Sequence, residues 1–519
     1  MSHLSSLIFQ GLANSRLTSS VILLAIGFGL PIVLTILSIF APNLARKIKP
    51  RLIYPAFWGK HHRAVYRWFR LPTYGQTTYI VIFFLLNILF TGINISSAQP
   101  STWYSTTTQE VTSLIAARTG VAAMALAPLT FLFAGRNNIL LYLTNWDHGT
   151  YLLLHRWVAR MFTLHVVVHS IGELWVCVDN GSYASYSTLP YWIWGCIATV
   201  ACVAMCIKSV FRSWRYELFL ILHIILAVFV LAGTWYHLIY RFNYKWGYHW
   251  MLYACFAVWA FDRILRVALI VRNGRLDATL TQLGPIVRVD LKGVNWTGPG
   301  RHGYIYFPFV RKWAPWESHP FSVIPSHLLA PAPIYSGSTD GTSTPKTEPS
   351  SEVPILTSQV SRGVTFYVKA HSGLTKSLHT LAGRGTRTTA LLEGPYGRSS
   401  VPSCDRLIVI AGGVGITATL PFLSSHHNAK LYWSVKDCMR PLVDDMEGCR
   451  ALSGNEKEII IGGRFNLRDI LEIEAAKGGE VLGVVVCGPS GMCDEVRRIV
   501  VCLGTRGKKV EMKVEAFSW

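Results

Sequence analysis

Long apolar segments separated by short polar stretches fill the first half of the chain. Seven of these segments have roughly the 20 residues that a helix needs to cross the hydrocarbon core of a bilayer. They lie approximately at residues 20–41, 77–97, 112–133, 151–172, 191–207, 217–240 and 247–270. The pattern predicts a polytopic α-helical membrane domain with about seven transmembrane helices.

Charged residues are concentrated between and beyond these spans. The chain of 519 residues has a formal net charge of +21, with basic stretches at 46–51, 63–70, 208–215 and 263–275. Because these stretches border spans, they indicate membrane topology and argue against nucleic-acid binding. The positive-inside rule places the N-terminus outside and the C-terminal half in the cytosol, so Asn180, in an Asn-Gly-Ser sequence, would face outward and is a candidate glycosylation site. We recognise no cleavable secretory signal.

Four histidines lie in the fourth and sixth predicted spans, His155 and His169 in one and His223 and His237 in the other. Each pair is separated by 14 positions, close to four turns at ~3.6 residues per turn, so both members face the same side. Both spans run in the same direction, so His155 would pair with His223 near the cytosol and His169 with His237 near the outer face. Each pair predicts axial ligation of one haem iron. His165 is rotated from the ligand face by roughly 80° and is expected to pack or hydrogen-bond instead.

After residue 275 the pattern changes to short β-branched runs broken by turn residues, which predicts a small antiparallel barrel. Residues 325–360 are rich in Ser, Thr and Pro and are expected to form a disordered insertion in this barrel. The barrel resumes at 363–369 and is followed by a turn with Gly373 and Thr375. The small residues and backbone N–H groups of that turn are suited to line a pyrophosphate.

Strands and helices alternate after residue 403, which predicts a doubly wound α/β domain. An unbroken apolar run at 407–411, typical of a buried parallel strand, leads into Gly412, Gly413, Gly415 and Thr417. Glycines at a strand-to-helix turn let the backbone approach a phosphate. Arg464 is expected to bind the 2′-phosphate that distinguishes NADPH from NADH.

Together these motifs resemble the ferric-chelate reductases of fungi, within the superfamily that includes the NADPH oxidases. The resemblance covers nearly all of residues 75–519, and it implies FAD, NADPH and two b-type haems as cofactors. It implies that His319, Pro320, Phe321 and Ser322 contact the flavin, that Gly412, Gly413, Gly415, Thr417, Gly488 and Pro489 hold the nicotinamide nucleotide, and that Cys487 lies near the site of hydride transfer. In a flavoenzyme a terminal aromatic residue such as Trp519 can cover the isoalloxazine ring until nicotinamide displaces it.

The predicted organisation has four parts. An extra helix and a basic loop occupy 1–75, a haem-binding membrane domain 76–272, an FAD-binding barrel 273–402 and an NADPH-binding domain 403–519. The last two would form a cytosolic module like ferredoxin-NADP reductase. Because a hydride carries two electrons and a haem accepts one, a flavin is expected between them. The expected enzyme is an NADPH-dependent ferric-chelate reductase that delivers electrons to ferric or cupric ions or chelates outside.

The sequence indicates the path of the electrons more clearly than the molecule that finally accepts them. The alternatives are a superoxide-generating NADPH oxidase and a non-redox channel or transporter with a regulatory nucleotide-binding domain. Glu173, one helical turn after His169, favours a cationic substrate, whereas oxygen-reducing relatives tend to have a histidine there. The expected partners are the metal substrate, membrane lipid and a downstream iron permease or oxidase system. The location is expected to be the plasma membrane or the vacuolar membrane, and the oligomeric state stays open.

Overall fold

A computed structural model describes residues 2–61, 71–97, 99, 101, 103–212, 216–331, 362–397, 401–477 and 481–515, with side chains from Arg16 onward. The chain divides into two compact units, residues 1–265 and 266–518. The first unit is built from helices and the second contains two β-sheets.

Long helices account for most of the first unit, and the last of them runs into the second. They are α1 (Ser2–Phe40), α2 (Tyr74–Gly92), α3 (Thr107–Ala134), α4 (His148–Asp179), α5 (Pro190–Val210), α6 (Tyr216–Phe242) and α7 (His249–Asn273). Within the described residues, α1 to α6 are long and apolar enough to cross a membrane. The seventh predicted span also forms a helix, α7, but Asp262, Arg263 and Arg266 make its second half polar. The protein is a multi-pass membrane protein.

Local sequence signals set where these helices begin. The Thr73 hydroxyl accepts a bond from the backbone N–H of Gln76, and the Gln76 side chain accepts one from the backbone N–H of Thr73, which is a capping box at the start of α2. The Asp147 carboxylate accepts a bond of 2.8 Å from the backbone N–H of Thr150 and caps α4. Pro190 occupies the first turn of α5, where its missing N–H has no consequence.

Two antiparallel helix pairs, α3 with α4 and α5 with α6, pack closely along their lengths. A Cβ atom at Gly172 would lie 2.8 Å from the Cβ of Ala116, and one at Gly233 would lie 2.9 Å from the Cβ of Ala198. Small residues at such contacts let membrane helices approach each other closely. This close approach brings backbone carbonyls of α3 and α5 next to side chains of α4 and α6.

The first sheet of the second unit is a barrel of seven antiparallel strands. These are β1 (Arg275–Leu283), β2 (Ile286–Lys292), β3 (His302–Tyr306), β4 (Ser318–Ser322), β5 (Ile324–Pro325), β6 (Gly363–Lys369) and β7 (Arg387–Tyr396). A helix, α8 (Leu374–Ala382), lies between β6 and β7 in the chain. The strand order is β4-β3-β7-β1-β2-β6-β5. The end strands β4 and β5 are separated in the chain by Val323 alone, so the sheet curls and closes. Val287, Val289 and Leu291 of β2 point into the core in alternation.

The second sheet has five parallel strands in the order β10-β9-β8-β11-β12. Its elements are β8 (Arg406–Gly412), α9 (Ile416–Leu423), β9 (Ala429–Val435), α10 (Arg440–Met446), β10 (Glu456–Ile461), α11 (Leu467–Ala476), β11 (Leu482–Cys487), α12 (Ser490–Thr505) and β12 (Val510–Val514). The strand order reverses direction between β8 and β11. In doubly wound sheets, ligands bind in the crevice at the carboxyl ends of the strands at such a reversal.

The barrel and the parallel sheet share one hydrophobic core. Ile324 and Tyr367 of the barrel lie in the same buried cluster as Trp433 of β9. At its edge, the Arg288 guanidinium pairs with Asp445 at 3.0 Å, and the Tyr367 hydroxyl donates to Asp445 at 2.6 Å. Burial, followed by the bond to Asp445, raises the pKa of Tyr367 above its usual value, so this hydroxyl stays a donor.

The fold class expected from the sequence is confirmed, with one correction. Helices that can span a membrane are followed by an antiparallel barrel and a doubly wound sheet. The disordered insertion predicted at 325–360 starts too early, because Pro325 pairs with Val364 in the barrel and Pro331 forms a β-bridge with Cys449. Between them, Ser326–Leu329 form a helical turn whose Leu side chains pack on the core, a role hidden by the polar composition that follows. Residues 332–360 lie outside the described residues.

Candidate functional site

The two predicted histidine pairs face each other between α4 and α6. The ring centroids of His155 and His223, here called the inner pair, lie 6.3 Å apart. Those of His169 and His237, the outer pair, lie 6.1 Å apart. Two imidazoles that each make a metal–nitrogen bond of about 2.0 Å along the line between them have centroids roughly 6 Å apart. Both pairs therefore have the separation of a bis-imidazole metal site.

Backbone hydrogen bonds orient three of these four rings. In each, Nδ1 donates to a carbonyl of the neighbouring helix. The three bonds are His155 to Thr130 at 2.9 Å, His169 to Ala116 at 2.8 Å and His237 to Tyr191 at 2.9 Å. A ring nitrogen bonded to a carbonyl carries the proton, so Nε2 keeps the lone pair that ligates a metal. Bonds of this kind are typical of metal-ligating histidines.

Glycines make room for the rings of the outer pair. A Cβ atom at Gly120 would lie 2.9 Å from Nδ1 of His169, and one at Gly195 would lie 2.7 Å from Nδ1 of His237. Each glycine comes four residues, about one helical turn, after the residue whose carbonyl accepts the histidine bond. The missing side chain therefore opens the way to that carbonyl. For His155 of the inner pair, Ala134 holds the corresponding position on α3.

His223 of the inner pair differs from the other three histidines. Its Nδ1 is enclosed and has no hydrogen-bond partner among the described residues. On α3 the two accepting residues, Ala116 and Thr130, are 14 positions apart. The residue 14 positions after Tyr191 on α5 is Met205, so its carbonyl is the one that corresponds to His223. Ser209, which is larger than glycine or alanine, comes four residues after Met205. The outer pair is anchored on both sides and the inner pair on one.

Two other polar residues of α4 lie near the pairs. His165 is buried, and its Nε2 donates to Oδ1 of Asn87 at 3.1 Å. The expectation that His165 is a hydrogen-bonding residue is confirmed. Glu173 is partly exposed one turn beyond His169, as its sequence position requires.

The predicted flavin-contacting residues occupy β4, which pairs with β3. Strand geometry places His319 and Phe321 on one face and Pro320 and Ser322 on the other. The rings of His319 and Phe321 are 6.4 Å apart, and both are partly exposed, whereas Ser322 is buried. The two rings thus form one accessible face of the strand.

A buried carboxylate connects this strand to the predicted pyrophosphate turn. Glu317 accepts hydrogen bonds from Nε2 of His319 at 3.1 Å, from the backbone N–H of Leu374 at 3.4 Å and from Arg311. Gly373 has a φ of +60°, and a Cβ atom there would lie 3.2 Å from both Arg311 and Glu317. The strand and the turn therefore form one site, beside a guanidinium of the kind that binds phosphates.

Two predicted cofactor-binding threonines direct their hydroxyl groups into their own turns. Thr375 donates to the carbonyl of Ser372 at 3.1 Å and accepts from the backbone N–H of His371 at 3.0 Å. Thr417 donates to the carbonyl of Val414 at 2.9 Å. In this geometry both hydroxyl groups are used to hold the shape of a turn.

The glycine-rich turn after β8 meets the end of β11 at the reversal of strand order. A Cβ atom at Gly412 would lie 2.7 Å from Cδ of Pro489, and one at Gly415 would overlap the carbonyl of Cys487. Gly413 has a φ of +56°, which glycine adopts without steric cost. Two motifs that are about 70 residues apart in the sequence thus form one wall of the crevice at the carboxyl ends of the strands.

Two of the remaining predicted residues, Gly488 and Cys487, lie at this crevice. A Cβ atom at Gly488 would lie 3.1 Å from the backbone of Gly412. Burial, with a smaller effect of Cys493, raises the pKa of the Cys487 thiol well above its usual value, so the thiol is neutral. Arg464 is exposed just after β10, at the carboxyl edge of the sheet. Trp519 lies outside the described residues.

Four residues of the site were missed by the sequence analysis. Gly120 and Gly195 had a visible signal, since both interrupt apolar spans that neighbour a histidine span. Glu317 is two positions before His319, but nothing in the sequence says that it is buried or that it reaches Leu374. The place of Arg311 beside Gly373 depends on the folded loop alone.

Comparison with known proteins agrees with this geometry. Residues 119–234 match the family model described as "Ferric reductase like transmembrane component". The matched range includes His155, His169 and His223 and stops three residues before His237. The resemblance to fungal ferric reductases is confirmed.

Curated relatives of this chain come from several fungi. "Probable ferric reductase transmembrane component" of Candida albicans is 30% identical over 377 residues, which cover 70% of this chain and 51% of the relative. "Ferric reductase transmembrane component 3" of Saccharomyces cerevisiae is 28% identical over 390 residues, covering 73% and 50%. Component 5 of the same yeast is 27% identical over 525 residues, covering 89% and 69%. The chain spans about half the length of the first two relatives.

Solved structures match at lower similarity. A flavohemoglobin from Malassezia yamatoensis with bound FAD and heme is 14% identical with a TM-score of 0.35, covering 79% of this chain and 99% of that one. A ferredoxin reductase in carbazole 1,9a-dioxygenase is 16% identical with a TM-score of 0.31, covering 47% and 69%. Because these TM-scores are low, the fold assignment rests on the strand orders described above.

Proposed function

We propose that this chain is a transmembrane metalloreductase that moves electrons from cytosolic NADPH, through FAD and two b-type haems, to ferric or cupric ions or their chelates on the other side of the membrane. One observation carries the proposal: two facing imidazole pairs, with centroids 6.3 and 6.1 Å apart, lie at two levels of the same pair of helices. Relatives that are named ferric or ferric/cupric reductase transmembrane components support an iron- or copper-reducing activity.

The residues of the membrane unit fit two haems. The inner pair would hold one iron and the outer pair the other, each through Nε2. The carbonyls of Thr130, Ala116 and Tyr191 hold three of the rings in the ligating tautomer. Gly120 and Gly195 leave the space in which the outer rings reach those carbonyls.

The residues of the second unit fit a flavin and a nicotinamide nucleotide. Bound FAD would accept a two-electron hydride and release electrons singly, which no side chain can do. Glu317 orients His319 and the backbone N–H of Leu374, and Arg311 supplies positive charge beside Gly373. The turn at 412–415 lets backbone N–H groups approach the phosphates of NADPH. Cys487 offers a neutral thiol at the crevice and no base.

The proposed acceptor is a metal cation or its chelate. Glu173 adds a negative charge one turn beyond His169, on the side of the outer pair, and this charge would attract a cation. Superoxide formation is the competing function. A channel or transporter is the second alternative, and it gives the histidine pairs no role.

A spectrum of the purified protein tests the proposal first. We expect a Soret band that shifts on reduction, with two haems per chain by the pyridine haemochrome assay. A protein that purifies intact without a reducible Soret band would remove both redox functions and leave the transporter.

The acceptor is tested in membranes supplied with NADPH. Ferrous-chelate formation and superoxide are measured in parallel, with and without superoxide dismutase. We expect iron reduction that persists without oxygen and in the presence of the dismutase, and Glu173→Gln should raise KM for the ferric substrate. Iron reduction that depends on oxygen would make the protein an oxidase.

Arg464 provides a separate test of the electron donor. Arg464→Ala should weaken NADPH use roughly 10- to 100-fold, because a charge-assisted bond contributes about 1.5–3 kcal/mol, and should leave NADH use unchanged. Arg468→Ala, which removes an exposed arginine on α11 paired with Glu472, is the matched control. An equal loss with both nucleotides would reject a role in 2′-phosphate binding.

The proposed orientation has the second unit in the cytosol, at the plasma or vacuolar membrane, with reduced iron passing to a permease or oxidase system. Asn180 is exposed at the end of α4 and would then face outside. Removal of N-linked glycans should increase the gel mobility of the protein, and Asn180→Gln should abolish that change. If the protein carries no glycan at Asn180 when made in fungal cells, the orientation is supported by the basic loops alone.

A further inference from the structure

The loop between β3 and β4, residues 307–317, presents an aromatic surface. Phe309, Trp313 and Trp316 are 67%, 93% and 65% exposed. In the described part of residues 275–515, Ile473 is the one other large apolar side chain exposed to a comparable degree. Clustered apolar exposure of this kind marks an interaction surface, whereas scattered single residues do not.

This loop is an ordered element. Three successive turns are closed by backbone bonds from Val310 to Phe307 at 3.1 Å, from Ala314 to Arg311 at 3.0 Å and from Glu317 to Ala314 at 3.1 Å. Phe307 is buried in the barrel core, and Val310 packs against that core. The base of the loop is therefore fixed, and the outward aromatic rings are a built feature of the fold.

The residue types in the loop favour a membrane surface as its partner. Arg311 and Lys312 lie between the exposed aromatic residues. Tryptophan, with an apolar body and a polar N–H, is enriched at the headgroup level of membranes, and basic side chains beside it attract anionic lipids. Six helices in the described part of residues 16–242 are long and apolar enough to cross a membrane. The second unit of this multi-pass protein is therefore held at high effective concentration near a bilayer.

We propose that the loop at 307–317 inserts Phe309, Trp313 and Trp316 into the headgroup region of the bilayer to which the chain is anchored, with Lys312 next to anionic headgroups. The inference goes beyond the proposed function and does not require it. If the flavin site is also as proposed, the contact restrains the flavin strand, because the loop ends at Glu317, which orients His319.

Photocrosslinking in the full chain tests this contact. A benzophenone amino acid replaces Trp313 in one variant and Ile473 in another, and each protein is reconstituted in nanodiscs and irradiated. We expect lipid adducts, identified by mass spectrometry, at position 313 and none at 473. Adducts between position 313 and protein, from either the same chain or a second copy, or no adduct at all, would overturn the proposal.

The charge of the loop is tested in the same system. Nanodiscs with about 30% phosphatidylserine should give about fivefold more adduct at position 313 than neutral nanodiscs, since one basic residue near an anionic surface contributes about 1 kcal/mol. Lys312→Gln should remove most of that difference. Equal yields in anionic and neutral nanodiscs would overturn the assignment of Lys312 to anionic headgroups. Arg311 is left unchanged because it pairs with Glu317.

Discussion

The outer and inner histidine pairs have nearly the same ring separation but are supported differently. Centroids are 6.1 Å apart in the outer pair and 6.3 Å apart in the inner pair. Both outer rings donate to a carbonyl through a gap left by a glycine. In the inner pair His155 has such a bond, and His223 has none among the described residues.

This difference shows that the position of a histidine ring and the hydrogen bond that supports it have separate causes. The spacing of 14 residues puts both histidines of α4 on one face of that helix, and both histidines of α6 on one face of theirs. This position does not depend on the neighbouring helices α3 and α5. Support differs together with the residue one turn beyond the carbonyl, which is glycine for both outer rings, alanine for His155 and serine at the position aligned with His223. We therefore expect two metal sites of similar geometry and unequal ligand lability.

The largest effect is expected from removing a ligand. His169→Ala or His237→Ala should reduce the haem content from two per chain to one by losing the outer haem, and His155→Ala or His223→Ala should lose the inner haem. The pyridine haemochrome assay on purified protein measures this content. His165→Gln, which keeps a bonding partner for Asn87, should retain both haems. Full haem content after any ligand replacement would end the comparison between the pairs.

The next effect tests the glycines of the outer pair. Gly120→Ala and Gly195→Ala put a Cβ atom 2.9 and 2.7 Å from the Nδ1 atoms of the outer histidines, so the ring must move away from its carbonyl. Loss of such support typically lowers metal affinity about 10- to 100-fold, and redox titration should show depletion of the outer haem alone. Gly29→Ala in α1, where nothing lies within 4 Å, is the control. Depletion of both haems alike would mean a general packing defect.

Carbon monoxide should distinguish the pairs by a smaller, kinetic effect. Carbon monoxide would bind a haem held by two histidines only after one histidine has left the iron. A histidine whose Nδ1 has no hydrogen bond, such as His223, should leave more readily. A variant with the inner pair alone (His169→Ala, His237→Ala) should bind carbon monoxide roughly tenfold faster than one with the outer pair alone (His155→Ala, His223→Ala). Flash photolysis at the Soret band gives the rates, and faster binding at the outer pair would reverse our interpretation.

The smallest effect concerns Ser209. Ser209→Gly removes the side chain one turn beyond Met205, the carbonyl that we align with His223. If the serine side chain is what keeps His223 from an acceptor, the variant should slow carbon monoxide binding in the inner-pair protein. Ser187→Gly, at a half-buried position in the turn before α5, should not. An unchanged rate would assign the difference between the pairs to another feature of α5.

Much of this fold was predictable from pattern. Six spans are long enough that apolar length alone located them, whereas α7 is more polar than expected because Asp262 and two arginines lie in its second half. The barrel and the doubly wound sheet followed from strand and turn signals. The start of the insertion was misplaced because Leu328 and Leu329 are two apolar residues at the head of a polar tract, and their burial depends on a core built by distant strands.

The sequence by itself determined that four imidazoles would face one way at two levels of two helices, because helical periodicity is a local property. It also determined that glycine-rich turns would follow buried strands. The tertiary structure decided which carbonyl each imidazole reaches, that Gly415 packs on the backbone of Cys487, and that Glu317 joins two segments of the barrel. Those contacts join residues far apart in the chain, and their distances are set by how closely helices and strands pack.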